Sequence, residues 1–177
     1  FLPSAIQRND APSSQYRMDM SNSTLFLKLV GSSRILGDFI VYTSADWRGG
    51  GLGFQLQNAY MSTKYFTFGY TIGTFMDINA IPTTIDYGGP CGMTFYRATQ
   101  LQFRYGFDFG LSMGIAVEAP NVNATGGEYI DVGAQRCPNI PLFVQYNLHN
   151  NPNNHIRLGA VMRDISYTDK VKGIDTD

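Results

Sequence analysis

Hydrophobic and polar residues alternate with a period of two along most of this chain, and no stretch carries a helical stripe. On residues 95–106, Leu101, Phe103 and Tyr105 share one face, and Gln100, Gln102 and Arg104 share the other. On 108–119, Leu111, Met113, Ile115 and Val117 oppose Ser112, Gly114, Ala116 and Glu118. On 139–149, Leu142, Val144, Tyr146 and Leu148 oppose Gln145, Asn147 and His149. On 154–166, Ile156, Leu158, Ala160 and Met162 oppose His155, Arg157 and Arg163. With Gly, Asn, Pro and Asp as punctuation, the pattern predicts strands near 15–30, 37–47, 53–62, 65–73, 95–106, 108–119, 139–149 and 154–166. Three positions break it: Ile40 and Phe26 fall on the polar side, and Asn58 falls on the apolar side.

The connections alternate in length. Short ones lie near 31–36, 62–65, 105–108 and 149–154, and the opposite end holds 48–52 and the long segments 73–94 and 119–138. Transmembrane β-barrels show this asymmetry, and strands of about nine to eleven tilted residues span a bilayer. The pattern therefore predicts an all-β fold, a transmembrane antiparallel β-barrel, with 1–177 as one domain. Residues 1–14 read as a loop on the long-loop side, so at least one strand is expected before Phe1. The polar end at 172–177 is expected to lead into a further loop. Eight strands close only a narrow barrel packed with side chains, and this polar face is too rich in Gln and Arg to pack dry. The chain is thus expected to be a fragment, incomplete at both ends, of a larger barrel of about sixteen strands. Its first and last strands are not expected to pair.

Alternation alone leaves open which face is inside. A soluble ligand-binding barrel would bury the apolar face, and an outer-membrane barrel would turn it to lipid. Composition favours lipid. Charged residues make up only 15% of the 177, against about 25% in globular domains. The cations are nine Arg and four Lys, so the polar face lacks a Lys/Glu coat. Tyr60, Tyr65, Phe66, Tyr105 and Phe107 recur near strand ends, where aromatic girdles sit. A net charge of −1 gives no basic footprint for nucleic acid. No run approaches the roughly 18 apolar residues of a membrane helix, and no signal peptide is visible.

Motifs for other chemistry are weak. The run Arg48 to Gly53 (RGGGLG) has strands on both sides, whereas a phosphate loop needs a helix after it. His149 and His155 flank a turn without further ligands, so no metal site is expected. Asn22-Ser-Thr24 and Asn123-Ala-Thr125 match the glycosylation pattern, which is common by chance. No Ser or Cys nucleophile has a base nearby, and Asp77 and Asp86 read as loop carboxylates rather than a catalytic pair. The chain is not expected to be an enzyme or to hold a cofactor. Cys91 and Cys137 lie in long loops at the same end of the sheet and are expected to bridge or to stand as two separate thiols.

Residues 68–77 (FGYTIGTFMD), 81–92 (IPTTIDYGGPCG), Tyr96-Arg97 and Phe103 to Tyr105 resemble the DcaP-like porins in their Bacteroidetes form. Phe26 to Gly31, Asp38 to Ile40, Ser44 to Gly50 and Asn58 to Tyr60 are similar to the same family. The likeness covers about two-thirds of the chain. It implies a homotrimeric barrel of many strands in the bacterial outer membrane, with the long loop folded into the pore, and passive uptake of small polar, often anionic, solutes. Ser23-Thr24 and Gln57-Asn58 replace basic positions of the family, and the Arg97–Arg104 spacing is two residues longer than usual. That shift preserves the faces, while the lost cations weaken the expected anion preference.

The expected function is therefore a diffusion porin with a water-filled pore. The alternatives are a soluble ligand-binding barrel and a non-conducting outer-membrane component in adhesion or scaffolding. The 73–94 loop is too long and, with Phe75, Met76, Ile78, Ile81 and Ile85, too apolar to stand free in water. It is expected to fold onto the barrel wall as a constriction. Asp77 and Asp86 would then face Arg48, Arg104, Arg157 and Arg163, with Glu118 on the same polar face and Arg97 at the loop's exit.

Overall fold

Period-two alternation becomes a meander in the structure, a computed structural model that describes residues 20–21, 23–50, 53–81, 95–120, 130–132, 135–151, 153–169 and 174–176. In chain order the strands are β1 (Thr24–Ser33), β2 (Gly37–Gly49), β3 (Gly53–Thr63), β4 (Phe66–Ile72), β5 (Arg97–Gly106), β6 (Leu111–Glu118), β7 (Ile130–Val132), β8 (Ile140–Asn147), β9 (His155–Met162), β10 (Tyr167–Asp169) and β11 (Ile174–Thr176). Eight of them form one antiparallel sheet in the order β1-β2-β3-β4-β5-β6-β8-β9. Each strand of this sheet pairs with the next strand along the chain, as short connections favour, except that β6 pairs with β8 and passes over β7. The sheet is open: β1 and β9 are its edges and do not pair with each other. A second sheet, β11-β10-β7, gathers the three short strands from the long-loop end. Sequence periodicity missed these strands, because three residues are too few to show a period.

Burial is inside-out. Gln100, Gln102, Glu118 and Gln145 are all less than 8% exposed, while Leu101, Ile115, Val117 and Leu158 are at least 48% exposed. The chain's own loop, from Gly73 onward, lies on the polar face, which is the inner one below. A soluble ligand-binding barrel would need the reverse arrangement, with its apolar rows covered. Exposed rings collect at both ends of the strands. At the short-turn end Tyr65 stacks on Tyr105, Phe66 lies against Phe103, and Phe107 joins Tyr105 to Phe109. At the long-loop end Trp47 meets Phe54 edge-on.

A β-bulge explains the misfit at Asn58. Ser44 pairs with Asn58 but Ala45 pairs with Leu56, so Gln57 is an extra residue in β3. One added residue exchanges the faces of everything beyond it. Phe54 and Leu56 point outward before the bulge, Met61 after it, and Asn58 turns inward to reach Ser44 and Thr71. Tyr60, expected in an outer girdle, is turned inward by the same step. Ile40 and Phe26 stay on the inner side.

Two glycines make close approaches possible. Gly114 pairs with Phe143, and a Cβ there would sit 2.3 Å from the Phe143 ring. Gly69 has φ 130, and its Cβ would stand 2.3 Å from the Ala59 carbonyl oxygen. Gly69→Ala should therefore destabilise the sheet by about 1–3 kcal/mol, the cost of forcing a side chain into such a backbone region. Gly106→Ala, with nothing within 4 Å of its added methyl, should stay within about 0.5 kcal/mol of the parent. Urea unfolding in detergent micelles measures both, and equal midpoints would refute the Gly69 account.

Candidate pore constriction

Immediately after β4 the chain turns back over the inner face, and Thr74 is the hinge of that turn. Its amide donates to Glu118 Oε1 at 2.6 Å. Its hydroxyl donates to Gln100 Oε1 at 2.7 Å and accepts from Gln102 Nε2 at 2.9 Å. Its carbonyl accepts from Arg157 Nη2 at 2.6 Å. Every polar atom of one residue is thus tied to β5, β6 or β9. Gln100 also donates to the Ile72 carbonyl, and the Met76 amide closes a turn onto Gly73. Alternation alone places these partners on one face, since Gln100, Gln102, Glu118 and Arg157 all fall on inward positions of their strands.

Glu118 is wholly buried. An ionised carboxylate tolerates that only with donors aimed at it. Thr74 supplies one, and the Tyr96 hydroxyl donates to the other oxygen. Burial first, and then the bond to Glu118 and its charge, push the Tyr96 phenol well above its usual range, so the proton stays on tyrosine.

Further along the loop, Asp77 Oδ2 and His155 Nε2 are 2.6 Å apart, and the Asn79 amide caps Asp77 Oδ1. Burial alone would raise the Asp77 pKa. The His155 hydrogen bond and charge, Arg157 and the Asn79 amide together outweigh it and hold the carboxyl below its usual range. Beside this pair, Phe143 lies between two guanidiniums: Arg157 is 3.7 Å from the ring centroid and Arg104 is 5.6 Å from it. Asp77, Arg104, Phe143, Gln145, Asn147 and Arg157 share the walls of a cavity of about 290 Å³. Acid and base thus line one cavity.

Of the residues expected at a constriction, the structure gathers Asp77, Arg104 and Arg157. The others differ. Glu118 is an anchor beneath the loop, with no exposed surface. Arg48 is at the rim of β2, where a second register shift falls, and its Nε pairs with Asp46 at 2.5 Å. Arg97 pairs with Ile72 on the outward row of Leu101 and Phe103, and its guanidinium lies 4.7 Å over Phe95. Arg163 is exposed beyond the end of β9, within electrostatic reach of Tyr96. Asp86 lies outside the described residues. So does Cys91, and the expected bridge to Cys137, which is exposed, therefore falls outside the described residues. Among those residues no group of three potential metal ligands occurs. Thr74, Phe143 and His155 were missed as site residues. For His155 the signal was present, since it shares a strand face with Arg157. For Thr74 and Phe143 only the folded register supplies it.

Two outcomes follow from these anchors. Glu118→Ala should free the Thr74 amide and speed its hydrogen exchange about 10- to 100-fold, the equivalent of about 1–3 kcal/mol for a buried charged bond. Glu118→Gln, which keeps an acceptor, should change it less. The Asp77 carboxyl has a depressed folded pKa, so its contribution is complete at neutral pH and fades as pH falls through that lowered value. Protection of residues 77–79, corrected for intrinsic exchange, should hold from pH 7 to about pH 5 and fail only below about pH 4. Asp77→Asn should abolish that acid-side transition.

No protein-family model matches the chain, and no curated protein matches it. A solved structure that does match is the outer membrane channel DcaP of Acinetobacter baumannii, with a TM-score of 0.68 and 15% sequence identity over 88% of this chain. The match covers 44% of that channel, so this chain spans less than half its length. At this identity the likeness is one of fold: an all-β antiparallel sheet of the kind that builds an outer-membrane channel.

Proposed function

We propose that this chain forms part of the wall of a bacterial outer-membrane porin, through which small polar solutes diffuse passively. The observation that carries the reading is the combination of exposed apolar rows on the outer face with a hydrogen-bonded, charge-bearing face beneath the chain's own loop. Lipid is the natural partner of the first and water of the second. The inside-out burial and the two ends of exposed rings support a membrane position. The sequence resemblance to DcaP-like porins and the shared fold point the same way.

In this reading the 73–94 loop narrows the pore, and its described part, pinned at Thr74 and Asp77, is the fixed end. Arg104 and Arg157 opposite Asp77 make a transverse field, which orders dipolar solutes and sets charge preference. Arg157 is tied to the Thr74 carbonyl and Gln145. Arg104 makes no ion pair among the described residues and is the freer charge. The preferred solutes are small anions, and the assembly is a homotrimer by resemblance.

Single-channel recording in planar bilayers tests this. Discrete conductance steps are expected, with a reversal potential on the anion side. A unit charge about 4 Å from a permeating ion is worth about 1 kcal/mol in water, so Arg104→Ser should lower the anion-to-cation permeability ratio by up to about five-fold. The difference should shrink in high salt. Absence of steps from correctly folded protein would refute the porin reading. Steps with unchanged selectivity would remove Arg104 from the constriction.

A further inference from the structure

The outward rows of β3, β4, β5, β6, β8 and β9 carry a single charge, Arg97, at the long-loop end of β5. Ile72 stands opposite it. One step down the same face is the pair Tyr70 and Thr99, and below that Phe68 with Leu101 and Val117. The last three are 58%, 51% and 50% exposed. A cation thus heads an uncovered apolar column.

Such a charge needs an anion, and Arg97 has none of its own. Its guanidinium lies 4.7 Å over the Phe95 ring, and its Nε is buried without a hydrogen-bond partner. Arg97 makes no hydrogen bond or ion pair among the described residues. Asp46 is within electrostatic reach of it. That carboxylate is already engaged, however: Oδ1 accepts from the Arg48 amide at 3.2 Å and Oδ2 from Arg48 Nε at 2.5 Å. Arg48 is also within electrostatic reach of Arg97. This rim therefore holds two guanidiniums against one carboxylate among the described residues.

The placement decides what the missing anion is attached to. Trp47 and Phe54 meet edge-on at this same end, and such rings seat at a membrane–water boundary. Arg97 then stands at headgroup level, with the apolar column running from it toward the short-turn end. A free anion would satisfy the guanidinium and leave the column bare. A neutral lipid would cover the column and leave the charge unpaired. One molecule with a phosphate at one end and acyl chains at the other does both.

We propose that Arg97 is the headgroup site of a phosphate-bearing membrane lipid, whose acyl chains lie along Tyr70, Thr99, Phe68, Leu101 and Val117. The terminal nitrogens of the guanidinium fork present parallel donors that fit two phosphate oxygens, which an ammonium does not reproduce. The site rests on the membrane position proposed above and on nothing about conduction.

Native mass spectrometry of the detergent-solubilised protein, titrated with dioleoyl phosphatidate, tests it. Bound phosphatidate is expected, with several-fold less binding of dioleoylglycerol, which has the same chains and no phosphate. Excess inorganic phosphate should leave the bound lipid in place. Arg97→Gln should lower phosphatidate binding several-fold, and Arg97→Lys should retain part of it. Lys28→Gln, which removes a cation from the inward row of β1, should not change it. Circular dichroism checks that the variants keep their sheet, and the comparison of the two lipids needs no variant. Equal binding of phosphatidate and dioleoylglycerol, or phosphatidate binding unchanged in Arg97→Gln, overturns the site. Displacement by inorganic phosphate overturns the lipid assignment. Loss of oligomers in Arg97→Gln with lipid binding unchanged places Arg97 between copies of the chain and also overturns it. Conductance steps without phosphatidate binding sink this proposal alone, whereas binding that depends on Arg97, without steps, upholds the lipid site and sinks the channel.

Discussion

A buried carboxylate fixes the arrangement of the inner face. Glu118 has no exposed surface, and burying its charge is tolerable only because a phenol and a backbone amide are both aimed at it. The amide belongs to Thr74, so the requirement of one acid on β6 dictates where the chain must turn after β4. Once Thr74 is seated, its hydroxyl satisfies Gln100 and Gln102 and its carbonyl satisfies Arg157. Four polar side chains from three strands thereby find partners on one residue of a loop. Removing any one leaves others unpaired in a dry setting, which is why such networks hold a single geometry.

From that anchor the chemistry of the cavity follows. Thr74 draws Arg157 across the wall, and Arg157 lies on the Phe143 ring, which itself fits only because residue 114 is glycine. Arg104 approaches the same ring from the other side. Three residues on, Asp77 meets His155 and brings a carboxylate within reach of Arg157, with Arg104 on the same cavity wall. The transverse arrangement of charge is thus a consequence of loop anchoring more than of any one strand's sequence.

The outer face follows a different pattern. Its Leu, Ile and Val rows carry no charge apart from Arg97 at one strand end, and rings cluster where the strands end. A sheet whose backbone bonds are all strand to strand leaves only side chains to choose their surroundings. Alternation then sorts them into two opposite environments with no core between. The bulge at Gln57 shows how strictly this holds. Without the extra residue Asn58 would stand on the apolar face, and the sequence beyond the bulge is shifted to match.

The strand rhythm, the identity of the two faces and the alternation of short and long connections were legible in the sequence. Each depends on residues close together in the chain: a period of two, a turn residue, a run of hydroxyls and amides. Polar partners such as Gln100, Gln102, Glu118, His155 and Arg157 could be assigned to one face on that basis alone. Which of them meet could not. Arg97 and Arg104 stand an odd number of residues apart, which puts them on opposite faces, but that one meets Phe95 and the other Phe143 only the fold decides. The inward rings of Phe26, Tyr42 and Tyr60 depend on inter-strand register and, for Tyr60, on a bulge visible only in the pairing. The landing of Thr74 on Glu118, 44 residues away, and the small sheet of β7, β10 and β11 are non-local hydrogen bonds. The sequence alone determined how each strand divides between two faces, because that is a local pattern. Only the tertiary structure decided which charges stand together, because that rests on contacts between segments far apart in the chain.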